Sequence, residues 1–180
     1  MRNPGARVYL TPLAVADAEE MTGVLSGDEL YTFIGGHPPA PGELRVAYAR
    51  QVVSHAPGRR QEWRNWIIRL DGEGTAAGYV QATIVDEGKR AEIAWVVGLK
   101  WQGQGYATAA ARALVDWLAS RGVTVIQAHI HPGHAASAAV ARHAGLLPTD
   151  QYDDGEQLWH RELPAAAPAH VMLTAATRDP

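Results

Sequence analysis

The chain has 180 residues, 47% of them hydrophobic and 19% charged, with a net charge of −3 and no cysteine. Such a composition suits one globular domain with a well-buried core, and it excludes disulfides, thiolate catalysis and cysteine-ligated zinc. The weakly acidic balance gives no electrostatic grip on nucleic acid, no apolar run approaches the roughly 20 residues of a membrane span, no signal peptide is visible, and a cytoplasmic location is expected.

Residues 7–10 predict a short strand. A helix over 17–25 follows, with Val15, Met21, Val24 and Leu25 near helical spacing, and Ser26-Gly27-Asp28 breaks it. Tyr31, Phe33 and Ile34 form a small apolar cluster ahead of an irregular loop set by Gly35, Gly36, Pro38, Pro39 and Pro41. A second helix over 43–53 carries Leu44, Ala47, Tyr48 and Val52 on one side. Residues 54–61 read as a polar loop.

From Glu62 the period changes. Strands over 62–70, 75–85 and 90–98 are joined by the turns Asp71-Gly72-Glu73-Gly74 and Asp86-Glu87-Gly88-Lys89, the pattern of an antiparallel meander. Trp63 and Trp66 on the first of these strands suggest an aromatic wall or plain packing bulk. Then comes Trp101-Gln102-Gly103-Gln104-Gly105-Tyr106-Ala107, and a helix over 107–120. Ala107, Ala110, Ala111, Leu114 and Leu118 make an apolar stripe on that helix, and Gly122 ends it. A strand over 123–130 follows a strand and a helix, so a parallel right-handed crossover is expected. A helix over 135–143 ends at Gly145, and residues 146–163 hold two strand segments around Asp153-Asp154-Gly155. Residues 1–163 read as one α/β domain of order β-α-α-β-β-β-α-β-α-β-β. Residues 164–180 are a Pro/Ala-rich tail, expected to be loosely ordered or packed on a partner, with a homodimer as one arrangement.

The chemistry concentrates at the glycine turn. Gly103 and Gly105 reach dihedrals that other residues avoid and leave no side chain between an anion and the amide N–H groups. The helix behind them has unpaired N–H groups and a positive dipole end, so a pyrophosphate fits without a lysine. The Walker pattern fails for want of Gly-Lys-Ser/Thr. The dinucleotide fingerprint fails because Thr108 stands at its third glycine. The pattern that is met is Gln/Arg-x-x-Gly-x-Gly/Ala, by Gln102, Gly105 and Ala107.

That pattern, with a strand before it and a helix after it, resembles the acetyl-CoA signature of the GNAT N-acetyltransferases. The wider stretch AEIAWVVGLKWQGQGYATAAARALVDWL is similar to the branch containing the ribosomal-protein N-terminal acetyltransferases. The resemblance spans roughly residues 7–163 and is strongest over 92–145. It implies an α/β (α+β) fold with a mixed, mostly antiparallel sheet flanked by helices and splayed between its fourth and fifth strands. It implies acetyl-CoA as cosubstrate and no metal. The pantetheine arm would lie along Trp95, Val96 and Val97, with a backbone N–H near Val97 polarising the thioester carbonyl. The pyrophosphate would sit on Gln102, Gly103, Gln104, Gly105, Tyr106, Ala107 and Thr108.

The resemblance also assigns Glu92 as general base, since amine acetylation needs a neutral nucleophile and most amines are protonated at neutral pH. In the second block, HIHPGHAASAAVARHAGL, His134 stands at the family's Asn, where it would bond the pantetheine. Ser137 matches the family's serine, and Ala141 replaces the tyrosine that protonates the leaving thiolate. Ser137 is therefore the candidate to bond the sulfur, with a first-turn serine that bonds free amides of its own helix as the alternative. An acceptor cleft built from residues 26–60 would use Tyr31, Phe33, His37 and Tyr48 for an amine-bearing small molecule or peptide. Two rivals stand beside acetyl transfer. The missing tyrosine and the His134 replacement would suit a catalytically silent acyl-CoA-binding module, and a dinucleotide oxidoreductase is disfavoured by the incomplete fingerprint. His129, His131 and His134 form H-x-H-x-x-H, yet no fourth ligand accompanies them for a metal.

Overall fold

The computed structural model describes residues 7–53, 61–72 and 74–164. The polar loop after the second helix and the tail fall almost wholly outside the described residues. The elements are β1 (Val8–Pro12), α1 (Ala18–Val24), α2 (Tyr31–Ile34), α3 (Pro41–Gln51), β2 (Glu62–Leu70), β3 (Ala76–Val85), β4 (Arg90–Val97), α4 (Tyr106–Ser120), β5 (Val125–Ile130), α5 (Ala135–His143), β6 (Leu147–Asp153) and β7 (Glu156–Glu162).

Most boundaries agree with the sequence to within two residues, and each shift has a local cause. The helix α3 starts at Pro41, whose fixed φ and missing N–H suit the first helical position. Glu43 closes that end by accepting the Ala40 N–H at 2.9 Å. The strand β5 starts two residues late because Val123 N–H still bonds the Leu118 carbonyl at 3.2 Å. The helix α2 is a single turn within what the sequence shows only as an apolar cluster. It stops at Gly35, whose N–H bonds the Tyr31 carbonyl at 3.0 Å.

Seven strands form one sheet in the order β1-β2-β3-β4-β5-β7-β6. All neighbours are antiparallel except β4 and β5. The parallel pair joins only three positions, Arg90↔Val125, Ala91↔Ile126 and Glu92↔Gln127. Beyond Glu92 the two strands separate, so the sheet is splayed between its fourth and fifth strands.

Strand alternation sends successive side chains to opposite faces. On one face Trp66, Ile68, Ile93, Ile126 and Ala128 pack against Ala110, Ala111, Leu114 and Leu118 of α4. On the other, Ile67 and Ala76 pack with Met21, Val24, Leu44 and Tyr48 from α1 and α3. Each fully buried leucine of the α4 stripe contributes about 1.5–3 kcal/mol. Trp63 and Trp66 do not form a wall, because three residues along a strand is an odd step and puts them on opposite faces. Trp66 instead meets Trp117 of α4 edge-on, at 4.8 Å and 71°.

Candidate functional site

The splay opens a cleft whose wall is the free edge of β4. Gly98 N–H bonds the Ala77 carbonyl at 2.9 Å. Alternation along an antiparallel ladder then turns the backbone groups of Val97 and Trp95 to the opposite edge, toward the gap. Among the described residues no strand pairs with that edge past Glu92. One of the exposed groups is taken locally, since Gln102 Nε2 donates to the Val97 carbonyl at 3.0 Å. The Val97 N–H and both backbone groups of Trp95 are left facing the cleft.

The phosphate end is built at the turn. Gly103 has φ +71° and Gly105 φ +87°, both in the left-handed region that favours glycine. Gly105 caps α4, and the first bond within the helix runs from Ala109 N–H to its carbonyl at 3.0 Å. The N–H groups of Tyr106, Ala107 and Thr108 therefore have no helical partner. These donors, Gln102, Gly103 and Gly105 line a cleft of about 600 Å³, within the roughly 300–1,000 Å³ range of small-molecule sites. A pyrophosphate-bearing group with a long amide arm fits donors at one end and an unpaired strand edge along the wall. Gln104 points away, its Nε2 donating to the Lys100 carbonyl at 3.0 Å, so only its backbone belongs to the turn. The α5 residues Ala139, Val140 and His143 complete this part. No motif marks them in the sequence, since they enter only because α5 packs beside α4.

A second compartment of about 290 Å³ adjoins the first and shares Phe33, Ile34, Trp95, Val96, His134 and Ser137 with it. Glu92 lies here, half-exposed, with its Oε1 3.1 Å from His129 Nδ1 of β5. Tyr79 and Glu156 also line this compartment. Burial, with a smaller effect from Tyr31, pushes the Tyr79 hydroxyl up to about 12. Ser137 lies on the first turn of α5, and its hydroxyl makes no hydrogen bond among the described residues. It is thus not a cap for its own helix. Ala141 is fully buried in the core, so nothing at that position reaches the cleft.

Phe33 stacks on His134 at 4.5 Å and 19°, and lies 5.2 Å from His131 at 42°. Burial first, and then the neighbouring His131, hold His134 below the usual imidazole range. The three histidines of H-x-H-x-x-H are engaged separately. His129 pairs with Glu92, His131 Nδ1 accepts the Gly133 N–H at 3.0 Å, and His134 stacks on Phe33. No group of three metal-ligating side chains occurs among the described residues.

Three of the four acceptor candidates do not line the cleft. Tyr48 is 3% exposed in the core between α1 and α3, where burial raises its pKa and its hydroxyl has no partner among the described residues. Its spacing of four from Leu44 already put it on the buried stripe of α3. His37 is exposed beyond the cleft, 3.8 Å from Glu43. Tyr31, the first residue of α2, is half-buried, with its hydroxyl donating to the Leu25 carbonyl at 3.0 Å, and it packs against the α1–α3 core without lining the cleft. Phe33 alone of the four faces both compartments.

The family model for the acetyltransferase (GNAT) domain matches residues 7–147. No curated protein sequence matches the chain. Among solved structures, a ribosomal L7/L12 alpha-N-protein acetyltransferase in complex with coenzyme A superposes with a TM-score of 0.74 at 20% identity, over 88% of this chain and 96% of that one. An acetyltransferase (GNAT family) from Bacillus anthracis gives 0.71 at 18%, over 90% and 98%. An aminoglycoside acetyltransferase in complex with coenzyme A gives 0.71 at 19%, over 87% and 95%. At these identities the likeness is one of fold.

Proposed function

The chain belongs to the GNAT acetyltransferase family, and from that premise we propose that it transfers the acetyl group of acetyl-CoA to a primary amine of a small molecule or of a protein N-terminus. The observation that carries this reading is the splay. One wall of the cleft offers unpaired backbone groups of Trp95 and Val97, its far end offers the free N–H groups of α4, and its near end holds Glu92.

When bound, acetyl-CoA supplies an activated acyl group. The donors from Gly103 to Thr108 hold its pyrophosphate against the helix terminus. The Trp95 backbone and the Val97 N–H hold the amide arm as a strand would be held, and an N–H aimed at the thioester oxygen stabilises the charge that develops there. Glu92 accepts the proton of the attacking amine. The hydroxyl of Ser137, which has no partner among the described residues, hydrogen-bonds the departing sulfur. The acceptor reaches the thioester from the side of Phe33, Tyr79 and Glu156. The neighbours solved with coenzyme A act on a ribosomal-protein N-terminus and on aminoglycosides, and both offer an amine.

Two measurements test this. Calorimetric titration is expected to show micromolar-range binding of acetyl-CoA and CoA and none of NAD; absence of CoA binding would overturn the reading. Glu92→Gln is expected to lower kcat at least about 100-fold while leaving the acetyl-CoA Kd within twofold. A fully active Glu92→Gln variant removes Glu92 from the role of base.

A further inference from the structure

Glu92 does not stand alone in the cleft. Its register partner Gln127 is the last residue of β5 that pairs with β4. His129, two residues on, projects from the same face of the sheet. Here the strands have already parted, yet Glu92 Oε1 and His129 Nδ1 lie 3.1 Å apart across the gap. Thirty-seven residues separate them in sequence. A carboxylate only accepts hydrogen bonds, so the hydrogen of this contact sits on His129 Nδ1. Without that contact, Glu92, at 56% side-chain exposure, would sample its rotamers freely in water.

We propose that His129 is a positioning residue for the acetyl transfer. Its Nδ1–H holds one oxygen of Glu92 and so aims the other at the acceptor amine. The inference rests on the reading of Glu92 as general base. It adds a residue on the opposite strand, so the base is assembled only when β4 and β5 splay as they do. The amine proton goes to the unheld carboxylate oxygen as the new C–N bond forms and the C–S bond breaks.

The test compares steady-state kinetics of the full chain and its His129→Ala, His129→Asn, Glu92→Gln and Glu92→Gln/His129→Ala variants. CoA release is followed with acetyl-CoA and a peptide α-amine, spermidine or an aminoglycoside, whichever turns over. His129→Ala is expected to lower kcat roughly tenfold with the amine KM within about twofold. His129→Asn places an amide N–H where Nδ1–H was and is expected to recover most of that loss. The double variant is expected to be no slower than Glu92→Gln, because His129 acts through Glu92. A His129→Ala variant with unchanged kcat, beside a slow Glu92→Gln, overturns the positioning role and leaves Glu92 as base. A further loss in the double variant overturns it as well, since His129 would then act independently. A fast Glu92→Gln variant overturns the base reading and this inference together.

Discussion

Gln102 reaches back five residues, and its side-chain amide donates to the Val97 carbonyl at 3.0 Å. The contact joins the phosphate turn to the last residue of the strand that forms the cleft wall. It also satisfies the one Val97 backbone group that would otherwise compete for the amide arm of a ligand.

Gln102→Ala is therefore expected to weaken acetyl-CoA binding roughly 5- to 30-fold, the equivalent of leaving one part-buried carbonyl unpaired. The rate at saturation is expected to change far less, because the turn lies away from the reacting atoms. Calorimetric Kd beside kcat checks both.

Gly103 and Gly122 both have positive φ, at +71° and +85°, and an added Cβ meets nothing within 4 Å at either. Gly103→Ala and Gly122→Ala are each expected to cost about 1–2 kcal/mol of stability from the strained backbone alone. Only Gly103→Ala is expected to weaken CoA binding as well. Urea midpoints paired with CoA titrations separate the general strain from the local effect.

Ser137 lines both compartments, and its hydroxyl has no partner among the described residues. Ser137→Ala is expected to lower kcat about tenfold, with acetyl-CoA affinity and thermal stability nearly unchanged. A slow variant that also melts early would mean that the hydroxyl serves the fold instead.

His134 is held below the ordinary imidazole range by burial and then by His131. A depressed pKa means that the unfolded state binds the proton more readily, so stability rises with pH through this window. The contribution is present above about pH 6.5 and is lost as pH falls through the folded value. The urea midpoint of the wild type is expected to drop between pH 7 and pH 5 by more than that of His134→Asn, measured at equal ionic strength.

Local pattern was enough for most of the fold. The stripe on α4, the odd-even alternation of β2 to β4 and the glycines of the phosphate turn each act over a few residues, and the chain settles them in place. The single turn α2 was not legible, because four residues give no helical period to read. The late start of β5 was not legible either, since Val123 is apolar both as a strand residue and as the residue whose N–H bonds back to Leu118 at the end of α4.

By itself, then, the sequence determined the order of the strands and of the longer helices, the anion-binding turn and the presence of Glu92 on the strand before it. All of these rest on backbone sterics and periodicity within one or two turns of chain. The tertiary structure decided which side chains meet. The three-residue register of β4 on β5 brings His129 to Glu92. The placement of α2 lays Phe33 on His134, about a hundred positions away and just ahead of α5. The burial of α3 removes Tyr48 from the cleft. Such contacts depend on where strands stop pairing and on how helices fill the space between sheet faces, and burial of apolar surface throughout the chain settles both.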